Sequence, residues 1–149
     1  MHAYLTGAIK EIRPGYVVLE VNNVGYLITV PNPYIYKLDL IEKVYVHTYI
    51  RDTDVFLYGF NSIERKEFFL KLIGVSGIGP KSALSILACE NLDEVLTSID
   101  TGNIKFLTKF PGIGMKSAQQ IILDLKGKLV IEETVNNLEI EEVSDALHA

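Results

Sequence analysis

The chain has 149 residues, 48% of them hydrophobic, and a formal net charge of −5. That is enough for one domain or two small ones with real cores, and no apolar run is long enough to span a bilayer. A single cysteine, Cys89, rules out an intrachain disulfide and a cysteine-based zinc site; His2, His47 and His148 are scattered; no charged-then-apolar leader opens the chain, so a cytoplasmic protein without metal or cofactor is expected.

Residues 2 to 12 begin a strand-like region, and Arg13-Pro14-Gly15 is a turn. Tyr16 to Val21 is dense in β-formers. Asn22-Asn23 is a two-residue turn signal ahead of a hairpin partner, Val24 to Val30. Pro31-Asn32-Pro33 breaks the sheet, and Tyr34 to Leu40 reads as a short helix or loop. Val44 to Ile50 alternates, with Val44, Val46, Thr48 and Ile50 on one face and Tyr45, His47 and Tyr49 on the other. A charged turn, Arg51 to Asp54, leads to the return strand Val55 to Phe60. Five strands meandering around a proline-broken connection predict a small OB-like barrel over residues 1–62.

After Phe60 the period changes. Asn61 or Ser62 caps a helix, and Phe68, Phe69, Leu72 and Ile73 form an apolar stripe, read as core. Further helices are expected over Leu92 to Ile99 and Ile104 to Leu107, and a long one from the second hairpin to about Leu129. Cys89 follows Ile86, Leu87 and Ala88, which predicts a buried thiol.

Within this half lies an internal repeat. Gly77-Ile78-Gly79-Pro80-Lys81-Ser82-Ala83 returns 35 positions later as Gly112-Ile113-Gly114-Met115-Lys116-Ser117-Ala118. Two glycines one residue apart turn the chain tightly and bring bare backbone close to a partner. A helix opens after each turn, and Pro80 suits its first position. Free N–H groups and the positive end of the helix dipole make an anion site, to which Lys81 and Lys116 add charge. Ile78 and Ile113 are expected to point inward and pin the turns. Neither copy fits G-x-G-x-x-G or a P-loop. The rival reading, two helix caps without a ligand, is disfavoured by the matched lysines. The paired turns resemble the helix-hairpin-helix motif, which implies that residues 63–131 form a tandem helix-hairpin-helix domain that binds the DNA backbone through Gly77, Gly79, Lys81, Ser82, Gly112, Gly114, Lys116 and Ser117.

The charge distribution agrees. Residues 130–149 hold six acidic residues and no lysine or arginine, whereas residues 61–129 hold nine basic and seven acidic. That weak positivity suits a few phosphate contacts through backbone amides. Residues 132–149 read as an acidic, solvated linker.

Taken together, these motifs resemble the RuvA family across essentially the full chain. Gly7, the run Val24-Gly25-Tyr26, the joint Leu57-Tyr58-Gly59-Phe60 followed by Glu64-Arg65, and the paired hairpins with Pro111 before the second carry the resemblance. It implies an α+β fold, a barrel followed by an all-α domain. It also implies a flat homotetramer, or an octamer on DNA, that holds four-way (Holliday) junction DNA open. The family's partners are the hexameric ATPase RuvB, engaged through a third domain, and a RuvC-type resolvase; no membrane is involved. Glu141 to Ala149 resembles only the first helix of that third domain, so this chain is expected to bind junctions without driving ATP-dependent branch migration. The family places two adjacent carboxylates, an acidic pin, at the last barrel hairpin. Here Asp52 matches the first, Thr53 falls on the second and Asp54 follows; read from residues alone, the segment is a plain solvated turn. Met115 stands where many relatives carry another lysine.

The expected function is thus a non-catalytic DNA scaffold. The runner-up, a structure-selective nuclease or glycosylase, needs clustered carboxylates or a reactive Lys/Asp beside a hairpin, and only Asp124 lies near. A third class is a generic interaction module using the barrel, for which no pair of binding aromatics stands out.

Overall fold

The structure is a computed structural model, and it describes residues 2–129. Five strands, β1 (Tyr4–Arg13), β2 (Tyr16–Val21), β3 (Val24–Thr29), β4 (Ile41–Arg51) and β5 (Asp54–Phe60), close into a barrel in the order β1-β2-β3-β5-β4. All neighbours are antiparallel except β3 and β5, which run parallel through Thr29 and Tyr58. Asn22 and Asn23 take φ of 50° and 66°. That is the left-handed pair a tight two-residue hairpin demands, and asparagine tolerates it. A 3-10 turn over Pro33–Ile35, capped by the Asn32 side chain, carries the chain from β3 to β4.

The barrel core holds Leu5, Ile9, Val17, Leu19, Ile28, Val30, Tyr36, Val44 and Val46. β1 serves two neighbours, pairing with β4 through Tyr4–Ala8 and with β2 through Ala8–Arg13, and its register shifts between Ile9 and Glu11. Gly7 sits where these pairings meet, and a Cβ there would collide with the backbone carbonyl of Glu20.

Five helices follow among the described residues: α1 (Ile63–Ile73), α2 (Pro80–Leu87), α3 (Leu92–Asp100), α4 (Ile104–Leu107) and α5 (Met115–Leu125). Ser62 caps α1 by accepting from the Arg65 N–H at 3.2 Å. One core joins them all, from Phe68, Phe69 and Leu72 through Ile86, Leu87, Val95 and Ile99 to Leu107, Ile121 and Leu125. Tyr58 and Phe60 of β5 belong to this same core. The two halves of the chain therefore share a strand.

Three expectations are corrected. β4 and β5 are longer than their alternating stretches, so the hairpin turn shrinks to Asp52-Thr53, with Arg51 and Asp54 as its closing pair. On the face that Ile50 shares with the buried Val44 and Val46, Ile50 itself is 66% exposed, near the hairpin tip. The helix expected to run to about Leu129 breaks after Leu125, where Lys126 leaves helical geometry and Gly127 takes φ of 81°, and residues 128 and 129 are helical again. Cys89 is half-buried past the end of α2, its thiol turned to the Asn91 carbonyl at 3.6 Å. The acidic stretch after Glu132 lies outside the described residues.

Candidate nucleic-acid interface

The repeat is structural as well as sequential. Gly77 and Gly112 take φ of 87° and 84°, values open to glycine and costly for other residues. The Ile78 N–H donates to Val75 O at 3.1 Å, and the Ile113 N–H to Phe110 O at 3.1 Å. The Ala83 N–H returns to Gly79 O at 3.0 Å, and the Ala118 N–H to Gly114 O at 2.9 Å. In both cases the second bond repeats the first at the matching position of the repeat. Ile78 and Ile113 are buried, at 5% and 4% exposure, and anchor the two turns in the shared core as expected.

The two turns also differ from every other helix start in the described residues. α1, α3 and α4 are capped by the side chains of Ser62, Asn91 and Asn103. α2 and α5 are capped by Gly79 and Gly114, which offer no side-chain acceptor. The first N–H groups of α2 and α5 are thus left for an acceptor from outside, at the positive end of each helix. No neighbouring atom would stand within 4 Å of a Cβ at Gly79 or Gly114, so the fold itself does not demand glycine there by contact. Lys81 and Lys116 are exposed beside these N–H groups. Neither makes an ion pair or hydrogen bond with another described residue. Ser82 and Ser117 are half-buried.

The first turn is tied to the second. The Ser85 hydroxyl donates to Pro111 O at 2.9 Å, and a Cβ on Gly112 would lie 2.7 Å from Ser82 Oγ. The Ser82 hydroxyl therefore lies beside Gly112 of the opposite turn. Arg65, quoted in the sequence as part of a joint, has a definite task. Its guanidinium donates to the carbonyls of Leu87 (3.0 Å), Cys89 (3.2 Å) and Glu90 (2.9 Å), closing the C-terminal end of α2.

The β4–β5 hairpin reaches toward the first turn. Asp52 and Asp54 line one cleft of about 400 Å³ with Arg51, Tyr49, Phe56, Tyr58, Pro80 and Lys81. Both carboxylates are exposed. Burial, and then the neighbouring Tyr49, push the Tyr58 phenol above its usual pKa, so it stays neutral. Along the sequence the Asp52–Asp54 turn and the glycine hairpins are separate features. Their meeting follows from β5 entering the helical core, a packing relation that no local pattern encodes. Asp124, the acid near the second hairpin, accepts from Gln120 Nε2 at 3.0 Å.

Residues 1–59 match the family described as RuvA N terminal domain, and residues 69–127 match that described as SAM-like Helix-hairpin-helix tandem. Among curated relatives, the Holliday junction branch migration complex subunit RuvA of Lactobacillus gasseri is 54% identical over 87% of this chain and 67% of its own length. The chain belongs to the RuvA family. The subunits of the same name from Acholeplasma laidlawii and Streptococcus gordonii are 52% and 46% identical, over 89% and 100% of this chain and 72% and 82% of their own lengths. RuvA membership agrees with the fold expected from the sequence, a closed five-stranded barrel followed by a helix-hairpin-helix tandem.

Proposed function

We propose that this chain is the DNA-structure-binding subunit of a Holliday junction branch-migration complex. It grips the backbone of four-way junction DNA without reading sequence. The observation that carries this reading is the pair of glycine-capped helix starts, α2 and α5, each with free N–H groups and an exposed lysine, on one rigid core. A phosphate supplies the acceptor that each start lacks, and two such grips at fixed spacing follow a duplex arm rather than a base sequence. The subunit works as a homotetramer that gathers four arms, or as an octamer on DNA; in its full-length form it hands the junction to RuvB through the third domain, and a RuvC-type resolvase is a further partner. It carries no catalysis of its own, and it acts in the cytoplasm.

Among the described residues, no helix is long and apolar enough to cross a membrane, and no group of three or more His, Cys, Asp or Glu could hold a metal ion. A gel shift with four-way junction against linear duplex at equal salt tests the binding reading. Preferential retention of the junction supports it, and equal affinity for both overturns it. A cleavage assay with divalent metal on the same DNAs tests the non-catalytic part, and any strand scission would reinstate the nuclease.

A further inference from the structure

The cleft between the β4–β5 hairpin and the start of α2 has features that phosphate gripping does not use. Its floor is aromatic. Phe56 and Tyr58 lie with ring centroids 6.2 Å apart and planes 21° from parallel, and Tyr49 meets Tyr58 edge-on at 6.0 Å. The row continues into the core, since Tyr58 contacts Phe69 at 5.2 Å and Phe69 contacts Phe60 at 4.9 Å. The inner rings are held from behind, while Phe56 at the outer end is 40% exposed. The part-exposed Phe56 ring thus borders a cleft of about 400 Å³, a volume within the range of small-ligand sites, roughly 300–1,000 Å³.

The rim has complementary chemistry. Lys81 lines it, next to the glycine turn proposed above to hold a phosphate. Asp52 and Asp54 line it too and can only accept hydrogen bonds while ionised. An aromatic face, a cation and paired acceptors correspond to the three parts of one nucleotide: its π-face, its phosphate and the exocyclic amine of adenine, cytosine or guanine. A base inside a duplex cannot present its face and its pairing edge together, so the ligand must be unstacked and unpaired.

We propose that this cleft receives an unpaired nucleotide, its base stacked on Phe56 and its 5′ phosphate at Lys81. This rests on the junction-binding reading and adds to it. An exchange of partners at a crossover leaves bases transiently unpaired, and a cleft of this kind would lower the free energy of that state. Stacking on a protein aromatic is sequence-tolerant, as passage through any sequence requires.

The chain contains no tryptophan, so Phe56→Trp places a single reporter at the cleft mouth. The full chain is titrated with a four-way junction carrying unpaired nucleotides at the crossover, and with the same junction carrying abasic sites there. Binding is followed independently through a fluorophore on a distant DNA arm. The expected result is tryptophan quenching at saturation by the unpaired bases and little by the abasic junction. In parallel, Phe56→Ala should shrink the preference for the unpaired-base junction over the abasic one by about tenfold, the size expected for removing one stacked base. Binding with equal quenching by both junctions, or with none, overturns the nucleotide cleft and leaves the junction reading standing. No binding to either junction overturns both.

Discussion

The two glycines of each turn do different work, and substitution separates them. Gly112 takes φ of 84° and backs onto Ser82, so an added Cβ meets both a disfavoured backbone region and the Ser82 hydroxyl at 2.7 Å. Gly112→Ala should lower unfolding free energy by about 2 kcal/mol, read from urea denaturation. Gly79 and Gly114 sit at ordinary extended φ of −95° and −90° with open space where a Cβ would go. The double variant Gly79→Ala/Gly114→Ala should keep its stability within about 0.5 kcal/mol. Its affinity for junction DNA should fall about tenfold or more, because hydrogen bonds to charged acceptors contribute roughly 1.5–3 kcal/mol and the methyl groups hold phosphates away. Unchanged affinity would mean that the bare backbone faces only water. Lys81→Ala and Lys116→Ala probe the charge in the same places. Each should weaken binding alike for all sequences and reduce the log–log salt slope by about one unit for every phosphate that is no longer neutralised. A slope that stays put in the double lysine variant would leave α2 and α5 as plain helix starts.

Strand β5 shows how one short element can hold two cores. Leu57 packs on the barrel core, Tyr58 and Phe60 enter the helical core, and a Cβ on Gly59 would strike Ile28 and Val44 inside the barrel. The period-two alternation of a strand makes this division possible, since neighbouring side chains leave on opposite faces. Two residues into α1, Arg65 fastens the same joint from the other side. It faces three carbonyls at the end of α2, where the helix dipole is negative. Arg65→Ala leaves those acceptors without their donor and should destabilise the chain by about 2–3 kcal/mol, visible as a lower Tm. Arg65→Lys should recover little, because an ammonium cannot reproduce the planar fork that reaches three carbonyls together. Full recovery by lysine would show that charge alone matters there. The strands, the caps and the repeat were legible in the sequence because local chemistry specifies them: paired asparagines, a serine before Glu64 and Arg65, glycines at fixed spacing. The ends of β4 and β5 were not, since Arg51 and Asp54 look like turn residues and become strand only through pairing across the hairpin. Arg65 likewise reads as an ordinary exposed helix cation until α2 is folded back beside it.

Across the molecule, the sequence displayed the barrel and the hairpins as separate modules, and the folded chain brings the tip of one against the mouth of the other. Asp52 and Asp54 line the cleft that Lys81 also lines, so carboxylates stand near a cation proposed to grip phosphate. A protein selected only for affinity would not place exposed carboxylates next to its own phosphate site, because like charges repel at this range even in water. The arrangement makes sense as discrimination. We propose that in the tetramer each subunit sets its pair of carboxylates at the junction centre. A continuous duplex must cross that centre, while an open four-way junction leaves a gap there. Asp52→Asn with Asp54→Asn removes the charge and little else. Asp52 holds φ of 56°, a conformation that asparagine shares with aspartate, and both side chains are exposed. The turn should therefore stay folded, which an unchanged Tm would confirm. Duplex binding should then strengthen more than junction binding, and the ratio of the two Kd values at one fixed salt should move toward one. Raising salt should erase the wild-type discrimination by the same route, since screening shortens the reach of the carboxylates to about 8 Å at physiological ionic strength and less above it. If the Kd ratio of the double variant equals that of the wild type, Asp52 and Asp54 form a solvated turn and the preference for junctions comes from the spacing of the hairpins alone.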